Sequence, residues 1–478
     1  MNILLLFAPN TDIRSRYSIL PNLRGAVYPL GVGYIARVLE LGGHNVTFID
    51  CQFPYNTTEV INRTIKDKKI DIVGISSSTP NSYKAYWLVK NVKKNFPALP
   101  IIFGGPHVAA IKSKIYQECP EVDFLVFGEG EETTKELVKT IQNKESLSKV
   151  RGIAYKINGK IKVNKQRPLI KDLDTIPYPA YHLSNLQEYK PKIGTFRVLP
   201  FANIITSRGC PYKCIFCGRI AWRHICRTRS VGNILGEIDI LVRRYGVKEI
   251  AFFDDTFTLN RERIVKLCNG LIRKYPGLIW RCYSRVNHVD LELLKLMKRA
   301  GCYSIGYGIE SGDDEILRIM RKGITTDLCR KAVKWAKQAG IEVRTYYMLN
   351  NLGDTRETIE KTINFSKELD SELADFGIAH PLPGSELREI LPTLPRVKIN
   401  KKLWDDWSAL EGDYVSFTQN DLDEDFIKRA YFWANWGHYF RPNRIIKNIR
   451  IALSNKYLFL GGFAVLWNFL KFRAFRKY

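Results

Sequence analysis

The chain has 478 residues, 45% hydrophobic and 12% aromatic, enough for about two to four folded domains and too apolar to be a disordered chain. Lys and Arg outnumber Asp and Glu by 74 to 48, a formal charge of +26, which favours an anionic partner: nucleic acid, an acidic membrane face or a phosphorylated substrate. The ten cysteines are clustered rather than evenly scattered, which favours metal chemistry over a disulfide framework.

The opening "MNILLLFAPN" lacks a basic region and a small-residue cleavage site, so it reads as a first strand rather than a secretory signal, and a cytoplasmic location is expected. Residues 1–140 then alternate buried strands with amphipathic helices. "GVGYIARVLELGGHNVTFID" is a helix, a Gly-Gly stop and a strand; "DIVGISSS", "PIIFGGP" and "VDFLVFGEGE" are further strands, each ending in small or polar residues. This pattern predicts an α/β fold with a doubly wound parallel sheet. Its ligand crevice lies beyond the carboxyl ends of the strands. Ser76, Ser77, Ser78 and Thr79, Gly104, Gly105 and Pro106, and Gly128, Glu129, Gly130 and Glu131 stand at those ends. Ordinary turns explain any one of these groups; three in succession on one edge point to a binding edge.

Residues 141–195 read as a connector, with a hairpin at Asn158-Gly159 and a Pro-rich link, "IPYPAYHL". From 196 to 395 a second series of about six βα units predicts a full or partial (β/α) barrel, with its working residues at the carboxyl ends of the strands. Residues 396–478 read as helical, aromatic and basic. Their late apolar run, Tyr457 to Leu470, would span about 21 Å as a helix, short of the roughly 30 Å of a bilayer core. No membrane-spanning helix is therefore expected.

The second series opens on "SRGCPYKCIFCGR", which puts Cys210, Cys214 and Cys217 on one tight loop. Three thiolates there would hold three irons of a [4Fe–4S] cube and leave the fourth open to chelate a small molecule. Zinc prefers four closed ligands, and Cys226 keeps that alternative open.

The Cys-x3-Cys-x2-Cys spacing after a first barrel strand, with Phe216 before the third cysteine, resembles the radical S-adenosylmethionine (SAM) superfamily. The pieces "YPLGVGYIARVLELGGHNVTFID", "GGPH" and "VDFLVFGEGEE" resemble the cobalamin-binding domain of one large radical SAM subgroup. The two resemblances cover residues 1 to about 390. They imply a [4Fe–4S] cluster on the three cysteines, SAM on the open iron, and cobalamin on the first domain, with contacts from Ser77, Thr79, Gly104, Gly105, Gly128, Glu129 and Gly130. The Asp-x-His-x-x-Gly motif that supplies a cobalt ligand in some cobalamin enzymes is absent, as is common in the subgroup. His107 is the nearest candidate, and a structural or phosphate-contacting role is expected for it. For SAM, the resemblance singles out Asp254 and Asp255 in "FFDDTFT" and Glu310 in "GIESG". Arg285 and Arg344 are added as strand-end cations suited to its carboxylate. Helix capping is the competing role for the aspartates, solvation for Glu310 and a different anion for the arginines. His380 lies near the barrel mouth, facing substrate or satisfied within its loop.

The activity implied is attack on an unactivated carbon, with methyl transfer ahead of cyclisation, ring contraction or oxidation. A reducing donor such as a ferredoxin or flavodoxin is implied as partner. From Phe426 onward there is no Asp or Glu, and a "YFRP"-type segment like the one here occurs in relatives acting on lipids or tetrapyrroles. That favours a small hydrophobic or lipid substrate and peripheral contact with the inner face of an anionic membrane. Helical packing on the barrel is the alternative. An RNA-modifying relative would carry more amino-terminal cysteines than Cys51 and Cys119, so nucleic acid is disfavoured. A non-enzymatic electron carrier is the third reading.

Overall fold

A computed structural model of the protein describes residues 1–9, 25–192, 194–218, 222, 224–406, 414–439, 441 and 444. The first sheet contains β1 (Asn2–Phe7), β2 (Asn45–Asp50), β3 (Ile72–Ser76), β4 (Ile101–Gly104), β5 (Phe124–Val126), β6 (Ile153–Ile157) and β7 (Lys160–Val163), in the order 2-1-3-4-5-6-7. The first five are parallel, as their apolar runs predict. Leu4, Leu6, Val73 and Phe103 pack on one face and Ile3, Leu5, Ile72 and Ile102 on the other, all 5% exposed or less. Burial on both faces is what makes such strands continuously hydrophobic. The order reverses between β1 and β3, which puts the ligand crevice at their carboxyl ends. The Asn158-Gly159 turn forms with φ of 50° and 71°, and its two strands extend the first sheet, β6 antiparallel to β5 and β7 antiparallel to β6.

A short antiparallel ladder, β9 (Ser207–Arg208) with β10 (Arg227–Thr228), follows β8 (Phe201–Ile204). The second sheet pairs β8 with β11 (Glu249–Phe252), β12 (Ile279–Ser284), β13 (Cys302–Glu310), β14 (Glu342–Leu349) and β15 (Leu373–Ile378), all parallel and in chain order. The barrel is therefore a partial one of six strands. Its helices start on side-chain caps: Ser230, Asn260, Asp290 and Thr325 each accept a hydrogen bond from a first-turn amide, each cap adding about 1 kcal/mol.

The two ends of this sheet differ. At the amino ends the chain from Gly194 to Val198 forms a plug. The Glu249 carboxylate accepts the Arg197 and Val198 amides at 2.7 and 2.9 Å and the Tyr303 hydroxyl at 2.7 Å. The opposite, carboxyl ends are the side on which such barrels carry their working residues. The outer edge of β15 is covered by the helix Glu424–Tyr439, where Tyr439 Oη receives the Ala374 amide (3.2 Å) and donates to its carbonyl (2.9 Å). Covering an edge in this way removes a template for strand addition. A further short pair, β16 (Val397–Ile399) with β17 (Phe417–Gln419), precedes that helix. Among the described residues no helix is long and apolar enough to cross a membrane. The membrane expectation rests on residues 431–478; of these, 431–439 lie in the helix packed on β15, whereas 440, 442, 443 and 445–478 lie outside the described residues.

Candidate active site between the two sheets

The β9–β10 ladder closes a loop from Gly209 to Cys226, so the chain leaves and returns at one point. Gly209 is required there: φ is +93°, and a Cβ would lie 2.1 Å from the Ile225 carbonyl oxygen. The loop is held to the barrel mouth by Ile215, whose amide donates to Met320 O (3.1 Å) and whose carbonyl accepts from Leu387 N (2.9 Å). Cys214 is buried, while Cys210 and Cys217 are half-buried. Cys210 Sγ lies 3.7 Å from Thr256 Oγ1, and Arg285 Nη1 lies 3.7 Å from Cys214 Sγ.

Among the described residues no three His, Cys, Asp or Glu side chains converge tightly enough to share one ion. A cube asks something else of its ligands, one thiolate per iron. Three thiolates on one loop beside a guanidinium suit that demand. Burial pushes the Cys226 thiol up, with Arg263 opposing.

Asp254 follows β11 and does not cap a helix. Its carboxylate accepts the Thr206 amide (3.1 and 3.2 Å), the Thr206 hydroxyl (2.8 Å) and the Ser207 hydroxyl. It thereby fixes the chain just ahead of the cluster loop. Burial raises the Asp254 carboxyl while Arg263 and these donors oppose the shift. Asp255 beside it is exposed. Arg285 caps β12, stacks 3.7 Å from the Tyr212 ring centroid and donates to Lys322 O. Glu310 ends β13 in the left-handed region, φ +69°, and pairs with Lys322 Nζ at 2.7 Å. Lys322, only 5% exposed, was not singled out by the sequence; its sole signal is the basic turn "RKG" after a helix. Arg344 is not part of this group. It is the third residue of β14, at the amino end, where it donates to Ser304 Oγ (3.1 Å) and Gly194 O (3.0 Å).

The inner face of the second sheet below the mouth carries aromatic rings packed around the buried Arg281 guanidinium, which lies 5.6 Å from the Phe253 and Tyr283 ring centroids and donates to Tyr283 Oη (2.8 Å). Phe253 and Tyr283 rings are 6.1 Å apart, and Tyr283 and Tyr346 rings 6.0 Å apart. The tyrosines fold over Gly306, whose Cβ would meet Tyr283 Cδ1 at 2.7 Å. His380, just past β15, has a buried Nε2 with no hydrogen-bond partner among the described residues. Burial lowers its pKa to about 4, so its imidazole is neutral near pH 7.

On the first sheet, Ser77 is fully buried at the carboxyl edge, and its Oγ has no partner among the described residues. That orphaned hydroxyl, with room above Gly104 (a Cβ would meet only Val126, at 3.9 Å), fits a ligand laid on this edge. Thr79 is half-buried in the following turn, and Gly128 (φ +73°) opens the next one. Gly105 serves packing, since a Cβ would lie 2.5 Å from Ser77 O. Gly130 begins a helix against Ile35. Glu129 turns away from this edge: its carboxylate accepts hydrogen bonds from Arg208, Arg227 and the Ile170 amide. Burial would raise its carboxyl, but Arg227 and Arg208 hold it below the usual range. His107 Nε2 meets Tyr86 Oη at 2.8 Å, and Tyr86 Oη donates to Glu118 (2.8 Å); its surroundings are those of a packed core histidine.

Residues 204–366 match the Radical SAM superfamily and residues 18–138 the B12 binding domain. An uncharacterized methyltransferase of Pyrococcus horikoshii is 35% identical over 424 residues, 88% of this chain and 90% of the relative. The chain belongs to the B12-binding radical SAM family. As a member it is a cobalamin-dependent radical SAM enzyme, whose cofactors are a [4Fe–4S] cluster, SAM and cobalamin. The anaerobic magnesium-protoporphyrin IX monomethyl ester cyclase of Rubrivivax gelatinosus is 28% identical, over 75% of this chain and 65% of the relative. The radical SAM methyltransferase TsrM of Kitasatospora setae, solved with cobalamin and a [4Fe–4S] cluster, shares the fold: TM-score 0.68 at 17% identity, covering 83% of this chain and 76% of that one.

Proposed function

We propose that this radical SAM enzyme transfers a methyl group to an unactivated carbon of a hydrophobic, flat or extended substrate, held over the aromatic inner face of the second sheet. The observation that carries the reading is that floor, Phe253, Tyr283 and Tyr346, lying below the loop that bears Cys210, Cys214 and Cys217. Aromatic faces receive apolar and conjugated ligands and exclude water. The bound cofactors supply radical generation and a methyl donor. In this reading the chain's own residues hold and orient. Cys210, Cys214 and Cys217 ligate the cluster, and Arg285 offsets negative charge at Cys214. Thr206, Ser207 and Asp254 brace the loop. Glu310, Lys322 and Asp255 are the groups within the mouth that can meet SAM. Ser77, Thr79, Gly104 and Gly128 line the cobalamin edge. Asp254 and Glu129 act on the protein rather than on the cofactors.

Anaerobic reconstitution tests this. The enzyme is incubated with cell lipid and pigment extracts, SAM carrying a deuterated methyl group, and a low-potential reductant. Product mass is then scanned. A gain of one labelled methyl group supports the proposal. A loss of two hydrogens without label supports cyclisation or oxidation, the reading favoured by the 28% identity with the cyclase.

A further inference from the structure

The strand-end acids of "GEGEE" resemble cofactor-turn residues, but their partners come from the other sheet. Glu129 and Glu131 follow β5; Arg208 lies two residues before Cys210, and Arg227 directly follows Cys226. Arg208 Nη1 reaches Glu129 Oε1 at 2.9 Å and its Nη2 reaches Glu131 Oε1 at 2.5 Å. Arg227 Nη1 and Nη2 meet the two oxygens of Glu129 at 2.9 and 3.0 Å. The Arg208 guanidinium also lies 5.2 Å from the Tyr34 ring. The side chains are 3% (Glu129), 7% (Glu131), 8% (Arg208) and 10% (Arg227) exposed. Buried, bidentate and charge-assisted bonds of this kind fix direction as well as distance. Both ends of the cluster loop are thereby pinned to one turn at the carboxyl edge of the first sheet.

We propose that Glu129, Glu131, Arg208 and Arg227 form the positioning clasp that registers the cobalamin edge against the cluster loop, so that Glu129 sets the alignment of two cofactors without touching either. The inference rests on the reading that both cofactors serve one reaction. The clasp makes alignment depend on charge, because a neutral amide at 129 leaves Arg208 with Glu131 alone and takes from the buried Arg227 the carboxylate it pairs with.

The test uses the full chain as Glu129→Gln, Glu131→Gln and Arg227→Lys. In the apo protein, hydrogen exchange should accelerate by about tenfold in residues 127–131 and 206–209, with β12 to β14 unchanged. Hydroxocobalamin affinity should stay within about threefold of the parent. After reconstitution and reduction with SAM, the ratio of S-adenosylhomocysteine to 5′-deoxyadenosine should shift by about tenfold, whereas simple loss of folded protein lowers both together. Hydroxocobalamin affinity falling by about tenfold with exchange unchanged overturns the proposal, because Glu129 then contacts the cofactor. An unchanged product ratio in all three variants also overturns it. If Glu129→Gln does not fold, the other two variants decide the question. If the parent itself binds no cobalamin or releases no 5′-deoxyadenosine, the functional reading fails instead.

Discussion

Replacing Asp254 by asparagine separates a residue that braces the cluster loop from one that binds SAM. The carboxylate receives three donors, the Thr206 amide, the Thr206 hydroxyl and the Ser207 hydroxyl, and faces the charge of Arg263. Hydrogen bonds to a charged acceptor contribute about 1.5–3 kcal/mol each. Asparagine keeps one accepting oxygen but turns an NH2 toward a remaining donor, so one or two such bonds are lost. Removing a buried charge recovers part of that, because burial opposes the ionised form. The net loss is about 2–3 kcal/mol. Guanidinium unfolding of the apo chain, followed by tryptophan fluorescence, should show it, and iron retained after reconstitution should fall in parallel. Stability within about 0.5 kcal/mol of the parent, with full iron and abolished SAM binding, would refute the reasoning and place Asp254 on the cofactor.

Serine at Cys210, Cys214 or Cys217 should each abolish a stable cluster, read as iron and sulfide per chain, while Cys226→Ser keeps the parent's iron content. Lys322→Met leaves the half-buried Glu310 carboxylate without its cation, at a cost of about 3 kcal/mol, the lower end for a buried pair; the double variant with Glu310→Gln should recover most of the unfolding free energy, and additive losses would contradict the pairing. His438 is fully buried with Nε2 on Ser371 O at 3.0 Å, and burial lowers its pKa to about 4. A folded-state value below the unfolded one means that stability present above pH 6.5 is lost as pH falls toward 4. The loss is about 3 kcal/mol, and His438→Gln should flatten that part of a stability–pH curve.

What the sequence disclosed and what it withheld divide by range. The cysteine loop was legible because ligand spacing is local, and the Asn158-Gly159 hairpin because turn chemistry is local. That the hairpin joins the first sheet depends on β5–β6 pairing, which no nearby residue encodes. The sequence suggests Glu129 as a cobalamin contact because a strand-end acid in a Gly-rich turn resembles a ligand contact. The arginines that engage it come from 79 and 98 residues away. The sequence suggests Arg344 as a strand-end residue, but the strand extends five residues past it, and end residues can be told apart only when the pairing register is known. The sequence offers Asp254 two candidate roles, SAM contact or helix cap. The structure assigns its carboxylate to a third, bonding back to the preceding strand's loop. Lys322 carried no motif, and its partner Glu310 lies across a helix and a turn.

The proposed chemistry depends on one iron left open by three cysteine ligands. Mössbauer spectra of the anaerobically reconstituted chain, with and without SAM, test this directly. The expected result is a [4Fe–4S] cluster in which one iron site alone shifts when SAM is added. A cluster indifferent to SAM, or a tetrahedral zinc closed by Cys226 as its fourth sulfur, would contradict it.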